Sequence, residues 1–178
     1  NFYCLGYGAT KKLITLNNVV KRNLATYLSL YRPVTDAIQI KDAYVINIGV
    51  RFSIIVRAGY NKQEVMLRCM DEVKLFFAPD KWQINQPIVL QDLIRDITLV
   101  DGVSSVVPPL QDNPDKLPLI IFNRYEKNRG YSGNIYDIGS ATKDGIIYTS
   151  LDPSIFELKF PSVDVQANVV ADSSTGAG

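Results

Sequence analysis

The chain has 178 residues, a formal net charge of +1, and 47% hydrophobic and 21% charged residues. This composition is typical of a packed globular fold and excludes a largely disordered chain. The near-zero charge excludes long-range attraction to nucleic acid or to an anionic membrane, and no run of about 18 apolar residues predicts a membrane-spanning helix.

The start of the chain predicts a short strand and then an amphipathic helix. Residues 2–7 are mostly apolar, and because this run begins at once we expect the chain to be part of a longer protein. Residues 16–31 show helical spacing, with Thr15 or Asn17 as the N-cap. We expect the helix to end at the turn Arg32-Pro33-Val34-Thr35, since proline lacks an amide donor. One face of this helix is apolar: Val20, Leu24, Tyr27, Leu28 and Tyr31. Lys21, Arg22 and Asn23 are expected to face away from it.

The next segment gives the clearest periodic signal. Apolar and polar residues alternate through residues 43–58, which predicts a long strand with one buried face and one wetter face. Helices are predicted at residues 62–78 and 90–99, followed by a short strand at 103–107. The order β-α-β-α-α-β predicts an α+β fold, an open sheet with helices on one face, in a core spanning residues 1–107.

The character of the sequence changes after Val107. Four prolines interrupt residues 108–118, and the following stretch is rich in Tyr, Gly and Asn. Short strands are predicted near residues 119–122 and 154–160, with a hairpin turn at Asp144-Gly145. We interpret residues 108–170 as an extended β-rich interaction segment and residues 171–178 as a disordered tail.

Large aromatic side chains in this segment are candidates for a protein interface, because tyrosine is enriched in the centres of interfaces. The alternative is that some of them pack on the domain's own sheet. The candidate interface residues are Phe122, Tyr125, Arg129, Tyr131, Tyr136 and Tyr148.

The chain lacks the usual side chains of catalysis and metal binding. It contains no histidine, so a Ser-His-Asp or Cys-His site cannot be built within it. Cys4 and Cys69 match no metal or redox spacing and are expected to be reduced and buried. We therefore predict no catalytic residues, no metal, no cofactor and no enzymatic activity.

Two further patterns have simpler structural readings. Gly6 and Gly8 precede a helix, but the third glycine of the dinucleotide fingerprint is absent and the helix starts too late to hold a phosphate. Asp92 and Asp96 lie one helical turn apart, as expected for the solvated face of an amphipathic helix.

A small nucleic-acid-binding α+β module is the alternative functional class. Arg124, Lys127 and Arg129 alternate with Tyr125 and Tyr131, a basic-aromatic group suited to single strands. Nearby acidic residues offset this charge, and the RNP pattern of RNA-binding sheets is missing. We therefore favour a function without nucleic acid.

Residues 16–107 resemble the C-terminal module of the baseplate-J family, which includes the baseplate wedge proteins of contractile-tailed, T-even-type phages. The resemblance rests on the order and spacing of several pieces. These pieces are the leucine-containing helix, Arg32-Pro33-Val34-Thr35, Tyr44-Val45-Ile46-Asn47-Ile48-Gly49-Val50, the helix around Glu64, and Asp101-Gly102-Val103.

The resemblance implies a late structural protein of the virion, located in the viral tail baseplate and assembled in the host cytoplasm. Such a protein would form wedge and inner-ring contacts without catalysis. Its partners would be itself, as a homodimer and in a higher-order ring, and other baseplate wedge proteins. These contacts would serve virus assembly and sheath contraction of the contractile tail.

Overall fold

A computed structural model describes residues 1–31, 37–110, 113–149 and 153–171. The helices are α1 (Asn18–Ser29), α2 (Lys62–Phe76), α3 (Leu90–Thr98), α4 (Ile138–Ala141) and α5 (Pro161–Asp164), with 3-10 turns at Pro79–Lys81 and Lys127–Arg129. The strands are β1 (Phe2–Cys4), β2 (Gly6–Tyr7), β3 (Leu13–Ile14), β4 (Ile40–Asp42), β5 (Tyr44–Val56), β6 (Ile88–Val89), β7 (Val103–Val107), β8 (Leu119–Arg124), β9 (Thr142–Lys143), β10 (Ile146–Ile147), β11 (Ser154–Glu157) and β12 (Val165–Val170). The chain has the predicted α+β fold with open sheets.

The predicted helices and the long strand form close to their expected bounds. Of the two candidate caps of α1, Asn17 is used, because its side-chain oxygen accepts a hydrogen bond from the amide of Val20 at 2.8 Å. The turn expected at Arg32-Pro33-Val34-Thr35 lies outside the described residues, as does the tail from residue 172 onward.

The central sheet is organised by one strand, β5, which is 13 residues long. On one edge it pairs with β11 and then β12, both parallel to it. On its other edge it pairs with β8 and then β7, both antiparallel. The five-stranded sheet is therefore only three strands wide at any point, and β5 holds all four other strands.

One face of β5 forms the hydrophobic core with the helices. Its even-numbered residues, Ile48 to Ile54, are fully buried. The helices α2 and α3 cover this face through buried aliphatic and thiol side chains: Val65, Cys69, Val73, Leu93 and Ile97. The expectation of helices on one face is confirmed for α2 and α3. Cys69 is buried as expected, whereas Cys4 is only half-buried, so the expected burial is wrong for Cys4.

The other face of β5 is the wetter of the two, as predicted, because three of its residues are only half-buried, but its remaining residues are covered more fully than the sequence indicates. Asn47 and Ser53 are at most 2% exposed, and Gly49 is buried. Gly49 lies opposite Phe122 of β8, and a Cβ atom at Gly49 would lie 2.3 Å from the Phe122 ring. The covering groups come from residues more than 70 positions away, which the local period cannot reveal.

The segment 108–170, expected to be an appended interaction segment, completes this sheet. It supplies β8, β11 and β12, three of the five strands. The division expected at residue 107 therefore does not separate two hydrophobic cores. A partner-binding role for the same segment stays a prediction.

The tight contact at Gly49 gives a stability test. We expect Gly49→Ala to lower the free energy of unfolding by about 1–3 kcal/mol, because the new methyl group overlaps the Phe122 ring on a paired strand. Gly139→Ala is the control, since its Cβ would meet only Asp137 Oδ1 at 3.5 Å. Urea denaturation of both variants measures the difference, and equal stabilities would contradict the packing described.

Candidate interaction surface

A buried carboxylate joins four distant parts of the chain. Glu157 of β11 is 4% exposed, and it accepts hydrogen bonds from Asn47 Nδ2 and from the amide of Leu13, each at 2.8 Å. Asn47 Oδ1 in turn accepts one from the amide of Ser132 at 2.8 Å. These bonds fix β3, β5, β11 and the 131–134 loop to one another.

A cleft of about 770 Å³ opens beside this group, lined in part by Tyr3, Tyr44, Lys41 and Lys159. The amine of Lys159 donates to the carbonyl of Gly130 at 2.6 Å, and Asp42 pairs with Lys21 at 2.5 Å. The Glu157 and Asp42 carboxylates and the Lys159 amine are thus engaged within the domain, and their arrangement is structural.

Among the described residues, no group of three or more His, Cys, Asp or Glu side chains could hold a metal ion. Burial raises the pKa of Cys69 to about 11, so its thiol stays protonated near neutral pH and is a poor nucleophile. None of the described helices is long and apolar enough to cross a membrane.

Tyr131, a candidate interface residue, lies inside the domain. Its hydroxyl donates to Asp164 Oδ1 at 2.5 Å and accepts from Arg124 Nη2 at 3.1 Å. Arg124 Nε also lies 3.1 Å from Asp164 Oδ1, and Asp164 is fully buried. Burial raises the pKa of Asp164, an effect opposed by the Tyr131 hydroxyl, the Phe160 amide and Arg124.

The other candidates divide into packed and exposed residues. Phe122 covers Gly49, and the Tyr136 hydroxyl donates to the carbonyl of Tyr148. The side chains of Tyr125 and Tyr148 are 49% and 47% exposed, and Arg129 is exposed. The alternative that some aromatic residues pack on the domain is therefore confirmed for Phe122, Tyr131 and Tyr136, and an interface role stays a prediction for Tyr125, Tyr148 and Arg129.

The helix α1 exposes an apolar surface that the sequence reading did not assign to an interface. None of its residues is buried. Its polar Lys21, expected to face away, points toward the domain because it pairs with Asp42. Several large apolar side chains of α1 and of the residues that follow it are left exposed: Val19, Val20, Tyr27, Leu30 and Tyr31. The apolar stripe itself was visible in the sequence, but only the structure shows that Leu24 and Leu28 of this stripe are half-buried, while its other residues are exposed.

No protein-family model matches this chain, and no curated protein matches its sequence.

The internal role of Tyr131 can be tested by removing its hydroxyl. We expect Tyr131→Phe to lower the free energy of unfolding by about 1–3 kcal/mol, because the buried Asp164 and Arg124 each lose a hydrogen bond. Tyr125→Phe, at an exposed position, should change it by less than about 0.5 kcal/mol. Chemical denaturation measures the stability of both variants. If Tyr131→Phe changes the free energy of unfolding as little as Tyr125→Phe, the hydrogen bonds of Tyr131 to Asp164 and Arg124 do not stabilise the domain.

The Glu157 carboxylate gives a second stability test. In Glu157→Gln one acceptor oxygen becomes an NH₂ group, which then faces an N–H donor. We therefore expect the free energy of unfolding to fall by about 1–3 kcal/mol. The control is Glu64→Gln on the exposed surface of α2. Thermal unfolding at matched pH distinguishes the two, and an unchanged melting temperature for Glu157→Gln would refute the joining role.

Proposed function

We propose that this chain is a structural module of the tail baseplate of a contractile-tailed phage, associating with copies of itself and with other baseplate wedge proteins. The exposed apolar surface of α1 is the observation that carries the proposal. The baseplate-J resemblance of residues 16–107 supplies the biological setting.

The physical argument begins with the stability of α1. A 12-residue helix is marginal in water unless tertiary packing supports it. Here support comes from half-buried residues on one side and from the Lys21–Asp42 pair. Val20 and Tyr27, 43% and 56% exposed, gain favourable free energy when a partner removes them from water.

The exposed tyrosines give this module a second contact area. Tyr125 and Tyr148 present large side chains with hydroxyl groups, which suit a partly wet protein interface. Their positions lie in the segment that the sequence assigned to partner binding.

The nucleic-acid alternative gains no specific support from these observations. Arg124 and Tyr131, two members of the basic-aromatic group, are engaged with Asp164 inside the domain. The remaining residues of this group, Tyr125, Lys127 and Arg129, carry only two positive charges to contact a phosphate backbone.

Sedimentation equilibrium tests the proposed self-association. We expect the average molar mass to rise with protein concentration, and Val20→Glu with Tyr27→Glu to reduce that rise by weakening association about tenfold or more. The physical reason is that charged groups would have to be buried in an apolar contact.

The charge-matched control is Leu110→Glu with Ile135→Glu, two exposed apolar positions elsewhere. This control should associate like the unmodified chain. A chain that stays monomeric at high micromolar concentration, or a control that weakens association equally, argues against the proposal.

A further inference from the structure

The outer edge of β12 is an open strand edge. Within the described residues, β12 pairs only with β5, so its main-chain groups on the outward side have no strand partner. Unpaired amides and carbonyls in an extended row are a template for another strand.

The other outer strands of the sheet carry features that discourage pairing. The pairing of β7 with β5 contains a register shift at Ile55/Val56, and the Asn123 side chain of β8 hydrogen-bonds to residues 134 and 136 beside that strand. The short β11 ends in the buried Glu157. In contrast, β12 has six residues with no charge and no proline, Val-Gln-Ala-Asn-Val-Val, and its pairing with β5 runs in unbroken register.

The two faces of β12 make it complementary to itself. Val165, Ala167 and Val169 lie opposite Val50, Phe52 and Ile54 and therefore share the helix-covered face. Gln166 and Asn168 lie on the other face and are exposed, and Gln166 Oε1 accepts a hydrogen bond from Arg51 Nε of the neighbouring β5 at 2.8 Å, which leaves the Gln166 NH₂ group for a partner. A two-fold axis through Ala167, perpendicular to the sheet, places Val165 opposite Val169 of the second copy and Gln166 opposite its Asn168. Apolar residues then meet apolar residues, and amides meet amides.

The helix layer extends the same contact. On the flank of α2 away from α3, Met66 and Met70 are half-buried and Leu67 is exposed. The other flank of α2 faces α3, because Glu72 on that flank lines a groove together with Asp92 and Asp96 of α3. Because the axis is perpendicular to the sheet, the α2 helices of both copies lie on the same side and approach each other beside the paired strands.

We infer that β12 binds β12 of a second copy of this chain in antiparallel pairing centred on Ala167, joining two sheets into one continuous sheet. This contact is additional to the α1 surface and rests on the proposed self-association. The occupant is a second copy because the strand is uncharged and its two faces match themselves in one register.

The test uses the Val20→Glu, Tyr27→Glu chain, in which the α1 contact is weakened, so that pairing through β12 is observed alone. We expect this chain to form dimers in sedimentation equilibrium. Adding Gln166→Lys with Asn168→Lys should raise the dimer dissociation constant about tenfold, because lysines lie directly opposite one another in both symmetric pairs. The charge-matched control, Gln91→Lys with Asn128→Lys, should leave it unchanged, since both positions are exposed and outside β12.

Charge exchange tests the register. A second chain carries Gln166→Glu with Asn168→Glu in the same background, and it should also dimerise poorly alone. Mixing the lysine and glutamate chains should restore dimers, since opposite charges then face each other. Circular dichroism and thermal unfolding of each chain verify that the monomers are folded.

The outcomes separate this inference from the proposed function. If the unmodified chain associates but the α1 variant is monomeric, pairing through β12 is refuted and the α1 proposal stands. If the α1 variant associates as well as the unmodified chain and only the β12 variants dissociate, the α1 surface fails and the β12 inference stands. Failure of the mixed chains to associate overturns the β12 pairing.

Discussion

The fold depends on one constraint: the strand β5 is paired along both edges and carries buried residues on both faces. Its even-numbered residues from Ile48 to Ile54 are fully buried and fill the core beneath α2 and α3. A strand in this position must have its main-chain groups satisfied by four partners, and each partner contributes only four to six residues of pairing. Every other strand of the main sheet is consequently placed by its register on β5.

Covering the second face of β5 brings polar groups into the interior, and the protein pairs them with one another. Glu157, Asn47 and Ser132 form one hydrogen-bonded group, while Arg124, Tyr131 and Asp164 form another. Both sets link residues far apart in the chain, so they contribute to the specific closure of residues 108–170 onto the core. This use of Tyr131 and Arg124 leaves Tyr125, Tyr148 and Arg129 as the exposed members of the aromatic segment.

Hydrogen-bonded polar groups inside and exposed apolar groups outside together suit the proposed role in assembly. The surface of α1 and the outward edge of β12 differ in chemistry, since one offers side chains and the other offers main-chain donors and acceptors. A module with two such surfaces can contact more than one neighbouring chain, as the proposed baseplate role requires.

The sequence by itself determined the local elements. The helical periods placed α2 and α3, the alternation placed β5, and Asn17 was one of two caps identified for α1. These features depend on neighbouring residues, whose spacing is visible in the chain. Only the tertiary structure decided which face of α1 meets the domain, and that polar residues such as Asn47 on the wetter face of β5 are buried. Those outcomes involve pairs such as Lys21 with Asp42 and Asn47 with Glu157. The partners lie 21 and 110 positions apart in the sequence, and only the folded chain brings them together.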